Sequence, residues 1–366
     1  MTEIITERIY NFSAGPSVLP LPVLEKAQAE LLSLGGSGMS IMEMSHRSDR
    51  FEAILAGAES GIRDLLGLPA NYRVLFLQGG ASMQFSMVPM DLLGSSATAD
   101  YIITGVWGVK AEAEARKFGK VNTIFTTKES GFRSVPNNEV LDFSKDAAYV
   151  HYTSNETIEG VEFDYDLDAG GIPVVCDASS NILSKPIDIE KYAMIYAGAQ
   201  KNIGPSGVTV VIIRDDLLQN IPDGLPTLMD YRSFASADSM PNTPNTWGIY
   251  LIGLVCEWLK AQGGVKGIAA INKIKAETIY SAIDRSEGFY KGHADIAARS
   301  LMNVTFRLAD KELEAKFVSE AEAIGLDGLQ GHRSVGGIRA SIYNAFPVDG
   351  TTRLAEFMDE FAAKNG

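Results

Sequence analysis

Cysteine is nearly absent: Cys176 and Cys256 are the two in 366 residues. That is too few for a disulfide framework, and neither has the CxxC or Cys/His spacing of a metal centre. No metal is therefore expected. Histidine is scarce, with four residues, and basic charge is in deficit, with 32 Lys and Arg against 46 Asp and Glu and a net charge of -14. A nucleic-acid partner is disfavoured, because neutralising phosphates needs a basic face. Anionic small molecules stay open, since they answer to a local pocket. No apolar run approaches the roughly 18 residues that span a bilayer, so no membrane partner is expected. The N-terminal MTEIITERIYNF has neither the basic nor the long apolar region of a secretory signal. These absences point to a cytoplasmic protein in a reducing compartment.

Apolar residues are plentiful, at 46%, which excludes disorder. At this mass, area scaling gives a folded surface of roughly 14,000 Å² against about 57,000 Å² unfolded. That suits one large domain with a smaller one. Short apolar runs at 73–77, 101–105, 123–126, 148–152, 172–176, 192–197 and 208–213 read as strands. Amphipathic helical spacing recurs at 22–34, 51–66 and 109–119, and SMQFSMVPMDLL can start another helix after Gly79–Gly80. This alternation predicts an α/β fold with a mainly parallel sheet, of the seven-stranded type, covered by helices on both faces. After residues 247–264 the pattern becomes that of a smaller α+β unit: helix 268–284, strand 302–307, helix 311–324, strand 337–345 and helix 351–364. The expected division is an arm at 1–15, a large domain at 16–258 and a small C-terminal domain at 259–366.

The chemistry concentrates in IPVVCDASSNILSKPIDIEKYAMIYAGAQKNIGPSG, 172–207. Asp177 closes an apolar run, where open α/β sheets place ligand groups. Lys201 lies among Ala and Gly before another apolar run. A lysine desolvated there has a lowered pKa and suits Schiff-base chemistry, and a carboxylate at a neighbouring strand end suits a pyridinium nitrogen. The plainer reading is a turn-capping Asp177 and a solvated Lys201. The glycine pair before Ala81 and Ser82 can expose helix N–H groups to a phosphate or be a packing turn. Trp107 can cover a planar cofactor or belong to the core. Thr157 can bond an oxygen of a ligand or shape a turn.

Cations come in pairs, His46–Arg47 and His332–Arg333, with Arg339 nearby in GHRSVGGIRAS. Such groups hold carboxylates and phosphates, or else pair with the acidic excess at the surface. DYDLDAGG, 164–171, mimics a calcium loop, but Ala169 stands where glycine is required and Val175 where glutamate is required.

NFSAGPSVLP (11–20), MEMSHRS (42–48), HYTSNETIEG (151–160), YAGAQKNIGPSG (196–207), NTP (242–244) and GHRSVGGIRASIYNA (331–345) occur in this order. In this the chain resembles the phosphoserine aminotransferase family, of fold-type I enzymes dependent on pyridoxal 5′-phosphate (PLP). The resemblance runs from about residue 9 to the C-terminus. It implies that Lys201 joins PLP covalently and shuttles the α-proton, while Asp177 pairs with the ring nitrogen. Trp107 would stack on the ring and Thr157 would bond near its oxygens. Ala81, Ser82 and Gln200 would hold the phosphate, with Asn242 and Thr243 reaching it from a second copy, so that a homodimer shares its active sites. His46, Arg47, His332, Arg333 and Arg339 would bind substrate, with Arg339 on the α-carboxylate. The implied reaction is ping-pong transfer of an amino group between L-glutamate/2-oxoglutarate and 3-phosphohydroxypyruvate/O-phospho-L-serine, in L-serine biosynthesis. 4-Phosphohydroxy-L-threonine of pyridoxine biosynthesis is an open extension. The alternatives are a PLP-dependent transaminase of another small or acidic 2-oxo acid, and a non-enzymatic binding module.

Overall fold

The computed structural model describes residues 8–94, 97–333 and 335–366; residues 1–7 of the expected arm lie outside them. Two helices, α1 (Leu21–Glu30) and α2 (Asp49–Leu66), precede the sheet strands β1 (Tyr72–Leu77), β2 (Thr98–Ile103), β3 (Lys120–Thr126), β4 (Ala147–Thr153), β5 (Val174–Asp177), β6 (Met194–Gly198) and β7 (Thr209–Arg214). Helix α3 (Gly80–Leu92) follows β1 and α4 (Val106–Ala115) follows β2; α5 (Thr246–Ala261) and α6 (Gly264–Asp284) come after the sheet. The strand order is β1-β7-β6-β5-β4-β2-β3. Strand β7 runs antiparallel to both neighbours and the other pairings are parallel. The reversal has a simple cause: residues 199–208 join β6 to β7 without a crossover helix, so the chain must turn straight back.

The alternation within each apolar run sorts side chains between two layers. Val74 and Phe76 of β1, with Val210 and Ile212 of β7, join the core beneath α2 and α5. Leu75 and Leu77, with Val211 and Ile213, join the core that includes Phe85, Met87, Ala111 and Ala115 of α3 and α4. Both faces are therefore buried, which is why these strands read as continuous apolar runs. Helix α2 is fixed at its start by Ser48, whose Oγ accepts the Phe51 N–H at 3.3 Å, and at its end by Gly67 with φ 63°. It meets α5 so closely that a Cβ on Gly61 would lie 2.6 Å from the Cβ of Cys256. Both cysteines are buried, in keeping with small apolar residues.

A third core contains the C-terminal strands β8 (Lys291–Gly292), β9 (Asn303–Arg307) and β10 (Ile338–Ser341), with α7 (Lys311–Glu322) and α8 (Val348–Asn365). Phe12 belongs to this core, with its ring centroid 4.4 Å from that of Phe346. The adjoining Tyr10–Asn11 pairs in parallel with Leu326–Asp327. The division expected at 258/259 falls inside α5. Strand β10 stops at Ser341, short of the expected 345, because the next carbonyls turn inward to a buried ammonium. Lys275 Nζ donates to the Ile342, Tyr343 and Asn344 oxygens at 2.9, 2.6 and 3.4 Å. Beside it, Asn202 Oδ1 accepts the Asn344 N–H at 2.9 Å, and Asn202 Nδ2 donates to the Ile182 carbonyl at 2.6 Å.

Candidate active site

The parallel strands β1, β2, β4, β5 and β6 all point their carboxyl ends to one edge of the sheet. That edge receives Ala81 and Ser82 from the start of α3, Trp107 from the first turn of α4, Thr157 from the turn after β4, Asp177 from the end of β5, and Gln200 and Lys201 after β6. This is where an open α/β sheet places its ligand. Helix α4 starts at Val106, three residues before the expected start, so the Trp107 indole is anchored in a helical turn.

Lys201 Nζ donates to Thr157 Oγ1 at 2.5 Å and lies 5.1 Å from the centre of the Trp107 ring. Burial pulls its pKa down to about 8; the Asp177 and Glu156 carboxylates oppose this and Arg339 adds to it. An amine near neutrality in its acid–base balance is what attack on an aldehyde needs. Asp177 is 4% exposed. Its Oδ1 accepts the Ser179 N–H at 2.9 Å and the Ser179 hydroxyl at 2.6 Å. Burial raises its pKa, while the Lys201 charge and the Ser179 bonds hold it down. Ser179 also binds the sheet, since its Oγ accepts the Gly198 N–H at 3.1 Å.

The start of α3 has the form of an anion cradle. Gly79 and Gly80 take φ values of 90° and 68°, and Gly79, as the cap, offers no side-chain acceptor to the first-turn N–H groups. A Cβ on Gly79 would lie 2.5 Å from Met83 Sδ. Gln200 folds over Gly198, where a Cβ would meet its Oε1 at 2.9 Å. Trp107 Nε1 and Asn242 Oδ1 are buried without a partner among the described residues. A tuned amine, a carboxylate, an aromatic plate and an uncapped helix start on one edge fit PLP. Asn242 and Thr243 precede α5 and make no described hydrogen bond to Lys201, Asp177 or Ser82.

The cations are less gathered. Arg339, on β10, lines a cavity of about 270 Å³ with Glu159, His293, Arg307 and His332. Its Nε is buried without a partner among the described residues. Burial lowers its pKa, with Tyr343 and Glu159 opposing. Arg333 lines a different groove, with Lys311, Glu314 and Gln330. His46 and Arg47 occupy the turn before α2, and no described ion pair or side-chain hydrogen bond joins them to Arg339 or Lys201. Three residues escaped the sequence reading: Glu156, Glu159 and Ser179. The two glutamates lie in the same ETIEG string as Thr157, and their spacing on one turn was the available signal. Glu156 Oε1 and Oε2 accept the Gly108 and Trp107 N–H groups at 2.8 and 3.0 Å, and Glu159 Oε1 accepts that of Val106 at 3.1 Å.

Residues 9–354 match the class-V aminotransferase family, and the chain belongs to it. Within that family, its likeness is to phosphoserine aminotransferases. The enzyme of that name from Laribacter hongkongensis is 55% identical over 358 residues, 98% of this chain and 99% of that protein. The solved phosphoserine aminotransferase from Bacillus circulans subsp. alkalophilus superposes with a TM-score of 0.97 at 48% identity, covering 99% of this chain and 100% of that one. A PLP-bound phosphoserine aminotransferase from Trichomonas vaginalis gives 0.91 at 39% identity over 96% and 100%. The fold is thus that of the fold-type I aminotransferases.

Proposed function

We infer that this chain is a PLP-dependent transaminase that moves an amino group from L-glutamate to 3-phosphohydroxypyruvate, giving O-phospho-L-serine for L-serine biosynthesis. The observation that carries this is the joining of Lys201, Thr157, Trp107 and Asp177 at one sheet edge, in a chain that matches phosphoserine aminotransferases along nearly its whole length. Bound there, PLP supplies an aldehyde to take up nitrogen and a ring to spread negative charge. Lys201 would hold the aldehyde through its amine, and the same amine stands ready to carry the α-proton. Thr157 fixes that amine. Asp177, kept in place by Ser179, would hold a proton on the ring nitrogen. Trp107 covers the ring and excludes water. The first turn of α3, at Ala81 and Ser82, takes the phosphate, with Gln200 beside it.

Arg339 takes the α-carboxylate that both amino donors share. His332, Arg333, His46 and Arg47 take the distal phosphate or carboxylate, so one cationic set serves both half-reactions. We further propose a homodimer in which Asn242 and Thr243 of one copy reach the phosphate cradle of the other. Leu32, Met39 and Met42, in the segment between α1 and α2 that leads to His46–Arg47, are 84%, 41% and 59% exposed, apolar surface that a second copy would cover. Light scattering that returned the mass of one chain would overturn the dimer. The reaction is tested by titrating purified holoenzyme with L-glutamate, O-phospho-L-serine and L-alanine while following its visible absorbance. The first two bleach the band and alanine leaves it; bleaching by alanine at similar concentration would sink the assignment. 4-Phosphohydroxy-L-threonine in the same titration tests the pyridoxine extension.

A further inference from the structure

The first turn of α4 is held in an unusual way. A helix start is ordinarily satisfied by the side chain of its own cap residue, but here the cap is Gly105, which has none. Three successive N–H groups, of Val106, Trp107 and Gly108, donate instead to two carboxylates about 50 residues away in sequence, on the turn after β4. Glu156 takes two of the three and has no solvent exposure. It is closely seated against the chain there: a Cβ on Gly105 would come within 2.4 Å of its carboxyl carbon, and one on Gly108 within 3.2 Å of Oε1.

The turn that supplies these carboxylates is itself fastened. The Gly160 N–H donates to the Glu156 carbonyl at 2.8 Å, and Thr305 Oγ1 donates to the Glu159 carbonyl at 2.6 Å. Between the two glutamates stands Thr157, the partner of Lys201. The Glu156–Thr157 pair therefore grips the reactive amine through a hydroxyl and the main chain of the aromatic residue through a carboxylate. A buried carboxylate is costly unless hydrogen-bonded. A nearby Ser or Asp would have capped the helix without that cost. What Glu156 adds is a direct tie between the main chain of Trp107 and the turn that carries Thr157, the partner of Lys201.

We propose that Glu156 is a positioning residue: by holding the Trp107 and Gly108 amides it sets the indole against Lys201, and so sets how tightly the ring of PLP is clamped. The inference rests on the reading of Trp107 as the plate over the cofactor. The test compares holoenzymes of Glu156→Gln, Trp107→Phe and the double variant. The readouts are PLP dissociation, the visible circular dichroism of the bound cofactor and the melting temperature. Glu156→Gln keeps the shape but turns one acceptor into a donor facing an amide.

Glu156→Gln is expected to weaken PLP binding about tenfold, the cost of leaving one buried amide N–H without its acceptor, and to change the visible dichroism. In the Trp107→Phe background the same change should add little, because the two act as one unit. If Glu156→Gln does not fold, Gly105→Ala displaces the carboxyl group without removing it and should have the same signature. A Trp107→Phe enzyme with unchanged PLP affinity would remove the Trp107 reading and the inference with it. If Trp107→Phe weakens PLP while Glu156→Gln and Gly105→Ala lower only the melting temperature, or add their full effect to Trp107→Phe, Glu156 is a helix cap and the proposal falls.

Discussion

The cofactor half and the substrate half of the site are built differently. Lys201, Asp177, Thr157 and Trp107 emerge from carboxyl ends of neighbouring strands and are joined to one another or to the sheet by short hydrogen bonds. The cations proposed for the substrate sit on turns and on the small C-terminal sheet; Arg339 and His332 share one cavity and Arg333 lines another. The difference teaches that one chain preorganises the group that stays bound, whereas the group that must enter and leave is met by residues from several loops. A permanent ligand rewards rigidity; two alternating substrates of different length need reach.

Four experiments press on that contrast. Lys201→Ala should cost the most, on the order of 10⁴-fold in turnover, together with the borohydride-reducible cofactor bond; a retained covalent adduct would show that another amine serves. Asp177→Asn should fold yet lose on the order of 10³-fold, seen in a single-turnover half-reaction. Arg339→Ala removes one charge-assisted contact worth about 1.5–3 kcal/mol. It should lower kcat/KM by about 10- to 100-fold for L-glutamate and O-phospho-L-serine alike, and an effect on one substrate alone would reassign Arg339. The gentlest probe is pH. In the proposed role Lys201 would react as the neutral amine, and burial pulls its pKa down to about 8, so PLP capture by the apoenzyme should rise tenfold per unit below pH 8 and level off above it. A profile still climbing at pH 10 would mean that burial does not tune this lysine.

Much of the sheet was legible because a strand buried on both faces writes itself as an uninterrupted apolar run, as IPVVC and VTVVII do. Asp177 stood out for the same reason, since it closes such a run, and Lys201 because it is a cation among small residues between two of them. The antiparallel course of β7 was not, because periodicity carries no direction. Nor was the true start of α4, which is capped by Glu156 and Glu159 from the turn after β4 and so leaves no local signature before Val106. His151 shows the converse. Although it heads the string that carries Thr157, it is stacked on Tyr101, bonded to the Tyr196 hydroxyl at 2.8 Å and pushed by burial down to about 3, a neutral core residue.

The side chain of Asn202 ties the residue that follows Lys201 to both halves of the molecule, to Ile182 on one side and to Asn344 on the other. A hinge that swung the C-terminal sheet against the central one would have to tear this tether or tow the reactive amine along with it.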